Sequence, residues 1–333
     1  MDWFEQLTGF AEQSPTQVRG NLTLVDGRLC STVNQCCWNV GRLTLPSLMQ
    51  LRVIEPRLHG RLQVSEWVAD VQQLHIQAEN AGALFQVASQ FNLLEMVSPR
   101  VSPEQGVGIY QRDRTQGPAC AIAAGAATIY RNYFVELDGQ LGQRKARQLN
   151  CLADLGDALG NRDGFLWHMQ NGYVIPADEQ SLEDVAEQLQ DASDSDIQQL
   201  QGLLRIGLHQ NVQVTLNDCQ HHVTQALCSA LPIAYSAYPA ELWADFAQLV
   251  LNAAYEATLA AAVQNTAETG NNRVFLTMLG GGAFGNPEGW IIAAIRRALL
   301  LYQDAGLNVV IVSHSRSNLR VVAMLDEVKQ AVA

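Results

Sequence analysis

The chain has 333 residues, long for one ordinary domain and short for three, and its 48% apolar content is enough for a sizeable core. Its 33 acidic against 21 basic side chains give a formal charge of -12, which argues against nucleic acid and anionic lipid surfaces as main partners. An anionic nucleotide remains admissible, because a pocket can meet it with backbone N–H groups and a helix N-terminus in place of Lys and Arg.

The opening MDWFEQLTGFAEQSP lacks the basic and then continuously apolar stretches of a signal peptide, and no run of about 18 uncharged apolar residues stands out as a membrane span. The expected location is therefore cytoplasmic. The seven cysteines have no paired CxxC spacing, so neither a disulfide framework nor a zinc knuckle is expected. Cys36 and Cys37 are adjacent and open to a reactive role, with small buried or half-buried side chains as the plainer reading.

Residues 1–60 read as an accessory segment: a short apolar helix, then a hairpin about Asp26 and Gly27 in NLTLVDGRLCSTVN. From Leu62 apolar strands alternate with helices, the grammar of a layered α/β domain over residues 61–333. Gly82–Ser89 is predicted as a strand that leads into a loop at Gln90–Asn92, and Ala119–Thr128 as an Ala-rich helix before a strand-like IYRNYFVE. Residues 135–215 read as an insertion, with two solvated helices over 182–201 and strands near 204–216. The NDCQHH cluster holds Asp218, Cys219, His221 and His222, contiguous and without a second spaced pair of ligands, so it reads as surface loop and no metal is expected. Between Glu241 and Asn265 apolar residues recur at three- and four-residue spacing, a helix laid against a sheet. RVFLTM (273–278) is a strand, Pro287–Ala305 a helix stopped by Gly306, and NVVIVS (308–313) a further strand.

The text between the strand RVFLTM and its helix is LGGGAFGN, Leu279 to Asn286. Glycines permit positive φ and carry no Cβ, so backbone N–H groups can converge on a phosphate while the helix start adds its dipole. A tight structural turn is the alternative. No GxxxxGK[ST] order follows, and no GxGxxG opens a first βαβ unit, so Walker-type and dinucleotide-binding sites lack their parts.

The run RVFLTMLGGGAFGNPEGWIIAAIRRAL followed by GLNVVIVSHS resembles the second half of macrodomains, in particular the poly(ADP-ribose) glycohydrolase-like branch. The resemblance implies a three-layer α/β fold, a mixed sheet flanked by helices, with ADP-ribose or an ADP-ribosylated substrate as partner and no cofactor. It makes Gly280, Gly281, Gly282, Ala283, Phe284, Gly285 and Asn286 the wall for the diphosphate and distal ribose. WVADVQQLHIQAENAGALFQVASQFN resembles the family's opening more loosely, which implies Asp70 at the adenine and Asn92 at the distal ribose, with Gln90 beside it. Ser313 and His314 fall where the family closes a loop over adenine or ribose.

Glycohydrolases of this branch carry adjacent glutamates in a QEE pattern, whereas here Gln116 is followed by Gly117 and Pro118 in YQRDRTQGPACAIA. Cleaving a ribosyl bond needs a carboxylate for an oxocarbenium-like transition state and for the leaving group. Glu95 and Asp113 are the candidates, with Asn92 orienting the ribose. A backbone cap or solvated carboxylate is the plainer reading of Glu95, and a salt bridge to Arg112 or Arg114 that of Asp113. Thr115 and Gln116 open a helix that offers a second anion site. The expectation is hydrolysis of an ADP-ribosyl linkage; the alternative is a non-catalytic sensor or reader of ADP-ribose or a related nucleotide.

Overall fold

The computed structural model describes residues 1–53 and 59–332. Its N-terminal part follows local signals. Asp2 and Ser14 cap two short helices, α1 (Trp3–Thr8) and α2 (Pro15–Asn21), by accepting from the N–H groups of Glu5 and Gln17. Asp26 and Gly27, both at positive φ, turn β1 (Leu22–Val25) back on β2 (Arg28–Ser31), the hairpin expected there. β3 (Cys37–Asn39) adds a third antiparallel strand, and a disulfide joins Cys30 to Cys37. This corrects the expectation of no disulfide: the hairpin register makes the two residues direct partners with Cα atoms 4.1 Å apart, which spacing alone does not reveal. Cys36 is left exposed, not half-buried.

The chain continues through β4 (Arg42–Thr44), α3 (Leu48–Val53), β5 (Gln63–Val68), α4 (Val71–Ile76) and β6 (Leu84–Ala88) to a helical pair, α5 (Gln116–Ala123) and α6 (Gly125–Tyr133). A peripheral region follows: the hairpin β7 (Glu136–Leu137) and β8 (Gln140–Leu141), then α7 (Ala153–Ala158). The hairpin β9 (Trp167–Gln170) and β10 (Tyr173–Pro176) and the helices α8 (Glu179–Asp191) and α9 (Asp194–Leu203) complete it. The last third is β11 (Gly207–Gln213), β12 (His222–Cys228), α10 (Ala244–Thr269), β13 (Arg273–Leu276), α11 (Glu288–Leu301), β14 (Asn308–Ser313) and α12 (Leu319–Ala331).

Seven strands form the central mixed sheet in the order β4, β11, β12, β6, β13, β14, β5. β12, β6, β13, β14 and β5 are parallel, while β11 runs antiparallel to both of its neighbours. Adjacent residues of β6 show where the helices lie: Phe85 stacks on His75 of α4, and Gln86 donates to Thr258 of α10. Successive side chains of a strand point to opposite faces, so α4 covers one face and α10 the other. This is the three-layer α/β arrangement. α10 satisfies the length and apolarity of a membrane span, but 89% of the relevant window is buried inside the protein, with Glu256 on its flank held by Arg52 and Arg297.

Three local expectations are corrected. The boundary at residue 60 fails, because β4 is an edge strand of the central sheet and α3 packs on α10. The supposed insertion 135–215 contains β11, also a strand of that sheet. IYRNYFVE is largely helix α6; Ile129, Tyr133 and Phe134 belong to a second core shared with Phe4, Val18 and Leu29 of the N-terminal part. Tertiary packing overrides strand propensity there.

Candidate functional site

The parallel strands all end on one side, and the chain leaving them encloses a cavity of about 870 Å³. Asp70 after β5, Ser89 after β6, Ala230 after β12, Thr277 after β13 and His314 after β14 all line it. Its size is that of a small-molecule site, for which about 300–1,000 Å³ is usual.

The glycine loop forms one wall. Gly280 has φ +76° and Gly285 φ +73°, and the turn is pinned by Asn286, whose N–H donates to the Gly280 carbonyl at 3.0 Å. The Asn286 side chain donates to the Leu231 carbonyl at 2.8 Å and lies buried, away from the cavity. Gly281 donates to the Met278 carbonyl and Gly285 to that of Gly282. Among the described residues, the N–H groups of Gly280, Gly282, Ala283 and Phe284 have no acceptor within the protein, and these four residues line the cavity. The expectation that all seven residues, Gly280 to Asn286, form the wall is therefore narrowed: Gly281, Gly285 and Asn286 shape the turn from behind. Phe284 joins Tyr173 and Tyr235 in an aromatic cluster, with ring centroids 5.3 and 5.8 Å from its own.

Residues 89–96 form the second wall. The Gln90 side chain closes this loop on itself, accepting from Met96 N–H at 2.9 Å and donating to the Met96 carbonyl at 3.1 Å. Gln90 lines the cavity, but its amide is spent on the loop. Asn92 is fully buried and does not line the cavity: its side chain accepts from Leu94 N–H and donates to Gln148. The geometry does not suit it to orienting a ribose, and its amide serves the turn. Glu95 does reach the site. It lines the cavity at 2% exposure, with one carboxylate oxygen 3.5 Å from Arg131 Nη2 and the other without any partner. Burial pushes its pKa up to about 7, against the pull of the Arg131 charge and the Tyr110 hydroxyl. The carboxylate is neither a backbone cap nor solvated.

The third wall is the start of α5. Asp113 accepts from the N–H and hydroxyl of Thr115 at 2.9 and 2.7 Å and makes no ion pair with Arg112 or Arg114 among the described residues. It lines the cavity and braces Thr115, the residue before α5. The Gln116 side chain bridges to β6, accepting from Ala88 N–H and donating to the Gln86 carbonyl. Thr115, Gln116 and Gly117 line the cavity, and the N–H groups of Gln116 and Gly117, in the first turn of α5, have no acceptor among the described residues. Gly117 sits so close to β6 that a Cβ there would lie 1.9 Å from the Ala88 carbonyl oxygen.

At the far end, Asp70 lines the cavity while capping α4 through Gln72 N–H. His314 is exposed and lines it; Ser313 does not, since its hydroxyl donates to Glu66 at 2.5 Å. The same Glu66 accepts from Ser317 and from Asn318 N–H and so fixes the turn that carries His314. NDCQHH is divided: His221 bonds the His75 carbonyl and His222 begins β12, and no metal-holding group of three ligands occurs among the described residues. Sequence reasoning missed Trp3 and Gln6 of α1, Tyr173 of β10 and Tyr235, all of which line the cavity. Only the Asn171-Gly172 pair, a hairpin turn signal ahead of Tyr173, pointed toward any of them.

A scan against protein-family models finds no match, and a search of curated proteins finds none. Among solved structures, the chain is similar to the poly(ADP-ribose) glycohydrolase of Thermomonospora curvata, at 13% identity over 94% of this chain and 97% of that one, with a TM-score of 0.45. It is similar to the same enzyme bound to the inhibitor ADP-HPD, at 14% identity over 94% and 97%, with a TM-score of 0.42. It is also similar to the Deinococcus radiodurans poly(ADP-ribose) glycohydrolase in complex with ADP-ribose, at 10% identity over 88% and 95%, with a TM-score of 0.44.

Proposed function

We propose that this protein binds ADP-ribose or a close relative and hydrolyses an ADP-ribosyl linkage. The observation that carries the proposal is the convergence on one cavity of two sets of backbone N–H groups unpaired among the described residues, at Gly280 and Gly282–Phe284 and at Gln116–Gly117, with the buried Glu95 carboxylate. The amides suit a diphosphate without fixed positive charge, in keeping with the acidity of the chain. The resemblance of LGGGAFGN to the macrodomain loop favours ADP-ribose over other diphosphates. Asp70 would meet the adenine end, and the aromatic cluster about Phe284 a ribose. With a pKa near neutrality, Glu95 is suited both to take a proton from water attacking the anomeric carbon and to give one to the leaving group.

A binding-only reader is the second reading, favoured by Gly117 and Pro118 standing where the resembled family has two glutamates, and by Asp113 being tied to Thr115.

Calorimetry with ADP-ribose, AMP and NAD tests the site. ADP-ribose is expected to bind much more tightly than AMP. Gly282→Val tests the loop: a Cβ there meets no atom within 4 Å, so the fold should hold while the branched side chain blocks the phosphate. Affinity is expected to fall at least about tenfold, or ~1.4 kcal/mol. Unchanged affinity in Gly282→Val would remove the loop from the site. Release of ADP-ribose from an ADP-ribosylated protein separates enzyme from reader.

A further inference from the structure

Beneath Glu95 lies a cation that nothing in the sequence marks. Arg131 of α6 is fully buried. Its Nε donates to the Leu93 carbonyl at 3.0 Å and its Nη2 to Thr128 Oγ1 at 3.1 Å, while Nη1 lies 3.4 Å from His209 Nδ1 and Nη2 lies 3.5 Å from Glu95 Oε1. Leu93 holds a positive φ of 64°, a backbone conformation that a leucine keeps only when its surroundings impose it. The guanidinium therefore grips the 89–96 loop at two points, a carbonyl at its most contorted residue and one oxygen of its carboxylate. The second Glu95 oxygen has no partner.

We infer that Arg131 is the positioning residue of this site: it fixes Glu95 by one oxygen and leaves the other for the ligand. The inference rests on the reading of Glu95 as the reacting carboxylate. Three elements face Glu95, the segment 108–112 with Tyr110, α5 with Cys120 and α6 with Arg131, and His209 of β11 stands against Arg131. Arg131 is the one cation among these groups. Burial and the Arg131 charge hold His209 neutral, far below the ordinary histidine range, and burial raises the Tyr110 hydroxyl and the Cys120 thiol well above theirs. Glu95 is thus the group whose charge changes against Arg131 near neutral pH.

Melting midpoints of wild type, Arg131→Met, Glu95→Gln and the double variant, across about pH 5 to 8, test this without substrate. Removing the cation strands a buried carboxylate, so its folded pKa rises further above the unfolded value. Stability is then retained at low pH, where the carboxyl is neutral in both states, and is lost as pH rises. Arg131→Met is expected to melt at sharply lower temperature toward pH 8, and the double variant to lose that slope. An Arg131→Met protein that is unfolded throughout while the double variant folds supports the coupling equally. Equal slopes in the two, or failure of both to fold, overturns it and leaves Arg131 a core residue only. Where wild type hydrolyses an ADP-ribosylated protein, Arg131→Lys is expected to shift the pH limb of kcat with KM unchanged, and an unmoved limb overturns the inference. A wild type without turnover ends the enzymatic reading, while the melting data still decide the Arg131–Glu95 coupling.

Discussion

Glu95 carries opposite consequences for activity and for stability. Its folded pKa, about 7, lies above the ordinary carboxylate value of 4.5. A group shifted in this direction contributes stability that is fully present below the unfolded value and is lost as pH rises through the folded one. Wild type is therefore expected to become less stable between about pH 4.5 and 7 on account of this side chain. Glu95→Gln removes the ionisation while keeping the shape. It should abolish turnover with ADP-ribose affinity within about threefold, a change of less than ~1 kcal/mol, and flatten the pH dependence of the melting midpoint. Turnover at the wild-type rate in Glu95→Gln would end the catalytic assignment. Asp113 offers a contrast in kind. Tied to Thr115 by two short bonds to one carboxylate oxygen, it orders the approach to α5.

The elements that shape the site are the strand ends, and their fit is tightest where α5 meets β6. Gly117→Ala would set a methyl group 1.9 Å from the Ala88 carbonyl oxygen, backbone that cannot swing aside. The first turn of α5 must then move away from the sheet, at a cost of about 1–3 kcal/mol. The urea midpoint should fall and ADP-ribose affinity with it, since the Gln116 and Gly117 amides move together; an unchanged midpoint would mean that the first turn of α5 gives way at no cost. How much of this was legible follows from locality. β13, the glycine loop and α11 are contiguous, so periodicity and glycine chemistry revealed both the elements and their use. Glu95 was visible as a loop carboxylate, but its burial was not, because Arg131 and Tyr110 come from other elements. Asn92 misled for the same reason: its partner Gln148 lies 56 positions away. α6 reads as strand because the second core that buries Ile129 and Tyr133 is supplied by residues near the N-terminus.

On the scale of the whole molecule, those first residues are part of the domain. Trp3 and Gln6 line the cavity, Trp3 Nε1 donates to the Val107 carbonyl, and Glu12 accepts from the Val107 and Gly108 amides and the Tyr133 hydroxyl. β4 then covers the free edge of β11, and α3 lies on α10. A chain begun at residue 61, the boundary drawn from sequence, would lose all of this at once. Leu94, Tyr110, Ile129 and Tyr133 would face water without their N-terminal partners, and β11 would become an open edge beside them. Each large apolar side chain so exposed forfeits about 1.5–3 kcal/mol, and several together match the whole stability of an ordinary domain. Such a chain is expected to show no cooperative melting and to aggregate through the uncovered edge. A truncated chain that melted cooperatively and bound ADP-ribose as the full chain does would instead make the N-terminal part an accessory. The cavity would then owe its shape to the strand ends alone, and α1 would be a lid whose removal leaves the phosphate and Glu95 walls intact.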